Sequence, residues 1–412
     1  MIRAWAFTGF LALASVACGA DDSGGSDSKS YIPVPGCEQF DYAPCDTLQT
    51  SCQTSRLELA ACLRGVEPGE LPPVTLWSEL QYADALTAGA SESPRPQPDH
   101  FERAFSWLGL VAPGAFQPAP VVMDQVERVA AYYDTETRGI TVIDHGSPAA
   151  DARSNVVLVH ELVHALQDRD VDLTAYHGAA VSSDASLARS SIVEGEARLH
   201  EDRYAASLSG LDPAVVEWRD VFSRRIELGE SWALADPSPW LASRSVFPYD
   251  YGERFVDFAW QARGHEAVLE LFEAPPASSQ VLMASTDAPA EPPQLAELLS
   301  PSPPEGWALV EDDVLGAHSL LIALTRSGNM EQARPAALAW RGDQLAVYSG
   351  PSVPPETAMV WQLELADEEN ATVVADKLRA LLVCGRVQRL GTRVLAAAAT
   401  SAVSLDWAFA AP

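Results

Sequence analysis

The stretch His160-Glu161-Leu162-Val163-His164-Ala165-Leu166-Gln167-Asp168, led in by Ser154-Asn155-Val156-Val157-Leu158-Val159, decides how the rest of the chain is read. Val156, Val157, Val159, Leu162, Val163 and Leu166 fall on nearly every side of a helix, so the pattern predicts a buried helix. It starts near Ser154 or Asn155, either a good N-cap, and runs to about 168. His160 and His164 then project from one face, about one turn apart. Imidazoles at that spacing reach a single Zn²⁺ at about 2.0–2.1 Å. Glu161 sits beside them, placed to take a proton from a water and deliver it to a leaving amine. Two buried histidines and a glutamate facing one another without a cation would be an expensive arrangement, so a zinc site is expected.

A catalytic zinc takes a third protein ligand and leaves the fourth position open. A third His at position 170 would mark a metzincin, but Asp170 stands there and Gln167 occupies the place of the Gly that turns the chain back. His200, in Arg198-Leu199-His200, reads as a solvated side chain. Glu194, in Ile192-Val193-Glu194-Gly195-Glu196-Ala197, lies far enough along for a loop and a second helix to return to the site. Glu196 is its close rival, although two residues along a helix points to a different side. Asp168, one turn beyond His164, is placed to accept a hydrogen bond from a ligand imidazole or to end the helix in solvent. Tyr249 and Tyr251 are candidates to donate to a developing oxyanion.

Working outward, apolar Val129-Ala130-Ala131-Tyr132-Tyr133 and Ile140-Thr141-Val142-Ile143 flank a polar turn and predict a hairpin over 129–143. Helices are expected at 100–111, 184–207, 213–228 and 249–273. Pro292-Pro293 and the prolines at 301–304 break the pattern. Beyond them the expectation is a helix near 311–326, strands at 336–349 and 358–365, a helix at 367–382 and at least one strand near 385–398. The whole reads as α+β: a mainly helical domain over 67–300 with a small edge sheet, then a small α+β domain over 305–412.

At 412 residues and 47% hydrophobic, the chain is long enough to bury a sizeable core. With 57 acidic and 27 basic residues it carries a formal charge of -30, which repels phosphate backbones and makes nucleic acid an unfavourable partner. Met1-Ile2-Arg3 and the apolar stretch 4–17 have the shape of a signal peptide, too short to span a bilayer stably. Ser15-Val16-Ala17-Cys18 resembles a bacterial lipobox, with Ser15 where a Leu is usual, Cys18 the lipidated residue and 19–36 a flexible tether; a plain secretory signal is the alternative. The expected location is the bacterial cell envelope, with membrane contact only through the anchor. In such an oxidising compartment Cys37, Cys45, Cys52 and Cys62 are expected to form two disulfides within a Cys-rich segment at 37–66; three pairings are open. Cys384, after the apolar Leu381-Leu382-Val383, reads as a buried free thiol.

HExxH followed on a later helix by Glu194-Gly195-x-Ala197 resembles the gluzincins, the thermolysin-like and aminopeptidase-N-like zinc metallopeptidases. The resemblance implies a zincin-like fold, with His160, His164 and Glu194 as zinc ligands, Glu161 as general base, and peptide or protein as substrate. The fuller HELVHALQD and VEGEA strings resemble a largely uncharacterised group of bacterial secreted or lipid-anchored zincins. A Tyr-x-x-Gly-x-x-Phe-Val element of that group matches Tyr249 to Val256, and the likeness spans roughly 129–285. A segment that ends in His in that group reads Pro275-Pro276-Ala277-Ser278-Ser279-Gln280 and onward here without the His. The competing expectations are a non-catalytic surface lipoprotein using a zincin-like scaffold for binding or structure, and a binding module dominated by the C-terminal part. An intact Glu161 argues against the first; truncation at about residue 305 followed by an activity assay would separate the second.

Overall fold

The computed structural model describes residues 31–92, 98–116, 126–146, 148–400 and 405–409. The expected leader, Cys18 and the first part of the tether lie outside the described residues. The architecture is α+β. In chain order come α1 (Thr50–Arg64), β1 (Val74–Ser78), α2 (Glu79–Glu92), α3 (Pro98–Trp107), β2 (Ala131–Asp134), β3 (Gly139–Asp144) and α4 (Ala152–Val171). Helices α5 (Leu173–Gly178), α6 (Ser183–Leu208), α7 (Trp218–Ala235), α8 (Pro239–Arg244), α9 (Phe247–Arg263), α10 (His265–Glu273) and α11 (Ser279–Ala284) follow. The C-terminal part holds β4 (Ala308–Asp313), α12 (Gly316–Arg326), α13 (Met330–Leu338), β5 (Trp340–Ser349), β6 (Thr357–Leu365), α14 (Glu368–Leu381), β7 (Gly385–Leu390), β8 (Arg393–Ala399) and α15 (Asp406–Phe409). No helix among the described residues is long and apolar enough to cross a membrane.

Helix α4 carries the deciding stretch. Its N-cap is Asp151, whose carboxylate accepts from the Ser154 N–H at 2.6 Å, a few residues ahead of the expected start. Asn155, freed from capping, is buried and holds the Cys45 backbone instead, donating to its carbonyl at 2.8 Å and accepting from its N–H at 3.2 Å. Leu158, Val159, Leu162, Val163 and Leu166 pack against Leu57, Leu59, Ala60, Ala61 and Leu63 of α1 and against Ala197 and Tyr204 of α6. The Cys-rich segment is thus part of the core that holds α4. Its disulfides are nested, Cys37 with Cys62 and Cys45 with Cys52.

The expected hairpin forms β2 and β3, in register through Tyr132 opposite Thr141. A third strand, β1, pairs parallel to β3 and was not anticipated. That order leaves β2 at an edge of the small sheet. The long amphipathic pattern at 249–273 is two helices, because Gly264 takes φ +60° between α9 and α10. Likewise the stretch 311–326 opens as strand β4, and α12 starts only at Gly316, where φ is +80°. The stretch 336–349 begins as the end of α13 and turns to strand at Trp340.

Helices α6 and α9 cross at two glycines. A Cβ on Gly195 would lie 2.3 Å from the Gly252 carbonyl carbon, and one on Gly252 would lie 2.0 Å from the Ser191 carbonyl oxygen. Only glycine permits backbones this close.

The C-terminal strands form an antiparallel sheet in the order β4-β5-β6-β8-β7. Alternation sorts its faces. Leu345, Val347, Met359, Trp361, Leu363, Val394 and Ala396 join one core with the helices, while Ala346, Tyr348, Ala358, Val360, Leu395 and Ala397 form a second with Ala408 of α15. The alanine run at the chain end is therefore a strand buried on both faces. The first of these cores also includes Phe101 and Phe105 of α3, Ile192 of α6 and Tyr251 of α9, so the Pro-rich break does not separate two cores. Cys384 corrects an expectation: it is exposed, because of the three apolar residues before it only Leu382 is buried, and Val383 faces solvent.

Candidate metal centre

His160 and His164 project from α4 into the space between that helix, α6 and α9. Glu194 of α6 meets them there, and these three are the group among the described residues that could hold a metal ion. The two Nε2 atoms stand 3.0 Å apart, and each lies 3.4 Å from Glu194 Oε2. Ligands around a tetrahedral zinc at about 2.0–2.1 Å stand roughly 3.3 Å from one another, so the triangle has close to the dimensions of one face of such a tetrahedron.

The far nitrogens fix the tautomers. His160 Nδ1 lies 2.9 Å from Glu201 Oε2, and His164 Nδ1 lies 2.8 Å from Gln167 Oε1. Both partners are acceptors, so each Nδ1 carries the proton and each Nε2 turns a lone pair inward. Glu194 Oε2 faces the same point, buried and without a hydrogen-bond partner. Three converging lone pairs in a water-poor site repel one another unless a cation lies between them. The donor set, two neutral imidazoles and a carboxylate, suits zinc.

The surroundings favour positive charge at this point. Burial would push the His160 imidazole down, but the Glu194 and Glu201 carboxylates outweigh it and hold it up at about 10, so its inward Nε2 takes either a proton or a metal cation in the proton's place. Burial would raise Glu194, and the two imidazoles instead hold its carboxyl well below the usual range.

Glu161 is fully buried. Its Oε2 accepts the Tyr133 N–H at 2.8 Å, and its Oε1 is left without a hydrogen-bond partner. Ladder bonds alternate along an antiparallel pair, and Ala130 accepts from the Ile143 N–H at 2.8 Å, so Tyr133, three residues on, turns its N–H away from β3 and toward Glu161. Burial raises the Glu161 carboxyl above its ordinary value, the direction a general base needs. Tyr249 of α9 stacks beside the His160 ring, centroids 5.9 Å apart, with its hydroxyl toward Glu194. Burial, then the nearby carboxylates, hold that hydroxyl well above its usual value, so it stays a donor.

Other candidates lie elsewhere. Tyr251 points to the opposite side of α9, where its hydroxyl donates to Glu230 and accepts from Arg334 at 3.0 Å. Asp168 accepts from the Tyr133 hydroxyl at 2.9 Å and the Leu173 N–H at 2.8 Å; Gln167 takes the role at His164 expected of it. Glu196 is bound by Arg64 at 2.8 Å and Asp170 by the same guanidinium at 2.5 Å, so neither rival reaches the histidines. His200 is fully buried rather than solvated, edge-on to Trp260 with centroids 4.8 Å apart.

Glu201, Gln167 and Arg64 were missed as partners. Glu201 lies two helical turns beyond Glu194 and Gln167 nearly one turn beyond His164, so helical spacing held both signals. Nothing local in the sequence pointed to Arg64.

A family described as a domain of unknown function (DUF8575) matches residues 307–407, which covers the C-terminal sheet and its helices and leaves out the candidate metal centre. Comparison with curated proteins and with solved structures finds no match.

Proposed function

We propose that this chain is a zinc-dependent peptidase of gluzincin type that acts in the bacterial cell envelope. The observation that carries the reading is the triangle of His160 Nε2, His164 Nε2 and Glu194 Oε2, with the unpartnered Oε1 of Glu161 beside it. His160, His164 and Glu194 would hold the ion. When bound there, zinc lowers the pKa of a water and polarises a carbonyl oxygen. Glu161 removes the proton from the attacking water and hands it to the leaving amine. Tyr249, held protonated, donates to the oxygen on which charge develops. Tyr251 has no part in this reading. Strand β2 lies at a sheet edge; the outward N–H of its Tyr133 is held by Glu161, so only the rest of that edge is left to an extended peptide. Glu161 favours an enzyme over an inert scaffold, because a structural ion has no use for a base beside it.

Metal analysis of the purified protein, with cleavage of a peptide library before and after chelation, tests the reading. The expected result is about one zinc per chain and cleavage that stops on chelation and returns with zinc. Zinc bound without any cleavage would favour the scaffold. For the anchor, the intact-mass spectrum should show an acylated Cys18; a mature N-terminus beyond it without lipid would rule the anchor out.

A further inference from the structure

Arg64 closes α1, two residues after Cys62 of the outer disulfide, and is completely buried. Its Nε lies 2.8 Å and its Nη2 3.2 Å from the two oxygens of Glu196, a bidentate grip, and its Nη1 reaches Asp170. The same Glu196 Oε2 accepts from Gln167 Nε2 at 2.9 Å, and Gln167 Oε1 meets His164 Nδ1 at 2.8 Å. Glu196 and Gln167 are themselves completely buried.

The geometry of an amide gives this chain of contacts a direction. Gln167 has one donor end and one acceptor end. Its donor end is committed to two acceptors, Glu196 Oε2 and the Val193 carbonyl at 2.9 Å. Its oxygen must then face His164, which forces the proton onto Nδ1 and the lone pair of Nε2 toward Glu194 and His160. A rotated amide would present N–H to Nδ1 and turn the imidazole into the wrong tautomer. Glu196 stays an acceptor at that point because Arg64 pins it there.

We propose that Arg64 is a positioning residue of the metal centre, acting through Glu196 and Gln167 to set the tautomer and orientation of His164. The disulfide-stapled N-terminal segment then governs metal affinity without touching the metal. This inference rests on the zinc reading above. A partner in such an outer position is worth about 10–100-fold in metal affinity.

The test measures zinc affinity by chelator competition, and the visible spectrum of the cobalt-loaded protein, for wild type, Arg64→Met, Gln167→Met and the double variant. Gln167→Met keeps the Arg64–Glu196 pair and cuts the link to His164, together with the amide's own bonds to Glu196 and the Val193 carbonyl. The expected result is about a 10-fold or greater loss of affinity, with a shifted cobalt band, in each single variant. Arg64→Met should add little once Gln167 is already Met. Equal affinity in wild type and both single variants overturns the proposal, as does an Arg64 effect of undiminished size in the Gln167→Met background. If Arg64→Met does not fold, Gln167→Met alone decides: wild-type affinity there overturns the proposal. A wild type that binds no zinc at all defeats the zinc reading itself, and this inference falls with it.

Discussion

At His164 two glutamates two residues apart have opposite fates. Glu194 turns inward to both imidazoles, and Glu196 turns away to Arg64. That split is what helical geometry demands, since residues two apart lie on different sides. Glu194→Gln should therefore cost far more zinc affinity than Glu196→Gln, which removes only an outer support. Isothermal titration of the metal-free variants reads the difference directly. If Glu196→Gln loses the ion while Glu194→Gln keeps it, the ligand assignment is wrong. His160, Glu161 and His164 were legible in the sequence because one helix fixes their spacing. Glu194 needed a second helix, and its choice over Glu196 drew on the gluzincin likeness as well as on spacing. Tyr251 was misread: the sequence offered two tyrosines flanking Asp250, and only the rotation of α9 decides which of them meets His160.

At the scale of elements, the crossing of α6 and α9 brings Tyr249 over the histidines. Gly195 sits between Glu194, the proposed ligand, and Glu196, and its missing Cβ is what lets Gly252 approach. A methyl there meets backbone, which cannot rotate away, so Gly195→Ala should cost about 3 kcal/mol or more. Gly178, with open space around its Cβ position, is the control, and Gly178→Ala should change stability by less than about 0.5 kcal/mol. Urea unfolding of the two variants makes the comparison, and equal midpoints would contradict the close-packed crossing. Element existence was readable where a period was long, as in α4, α6 and β2–β3. It failed at Gly264 and Gly316, where a positive φ interrupts an apolar pattern that runs on without a visible break. Strand β1 was missed because its burial is poor: Leu76 is 46% exposed, so no alternating face announces it.

For the whole molecule, the junction between the helical part and the C-terminal sheet is built on carboxylates. Asp184 accepts from the Ser279 N–H at 3.1 Å and from its hydroxyl. Asp313 accepts from Ser183, and Asp343 accepts from Trp340 and Trp361 at 3.0 and 2.8 Å and from the Leu315 and Gly316 N–H groups. Burial first, then mutual repulsion, raise Asp184 to about 7 and Asp313 to about 6. A carboxyl raised on folding contributes stability below its unfolded value, near 3.8, and that contribution is lost as pH rises through the folded value. The junction is thus strongest in acid and has lost this contribution above about pH 7. Asp184→Asn removes the titration and keeps an acceptor for Ser279. Its melting temperature relative to wild type should rise between pH 5 and pH 8 by roughly 5 °C, and a constant difference would contradict the account. The sequence placed a domain boundary at the Pro-rich break. It could not show that α3 and α6 share a core with the later sheet, because such contacts join residues far apart in the chain.

In the proposed mechanism Glu161 is a base beside a zinc held by other residues. Glu161→Gln keeps the side chain's size and removes only the proton acceptor. The decisive measurement is the rate of peptide cleavage by wild type and Glu161→Gln, each with its zinc content determined on the same sample. The account predicts equal zinc in both and a loss of about 10²–10⁴-fold in rate for the variant. A Glu161→Gln protein that cleaves as fast as the wild type would contradict it.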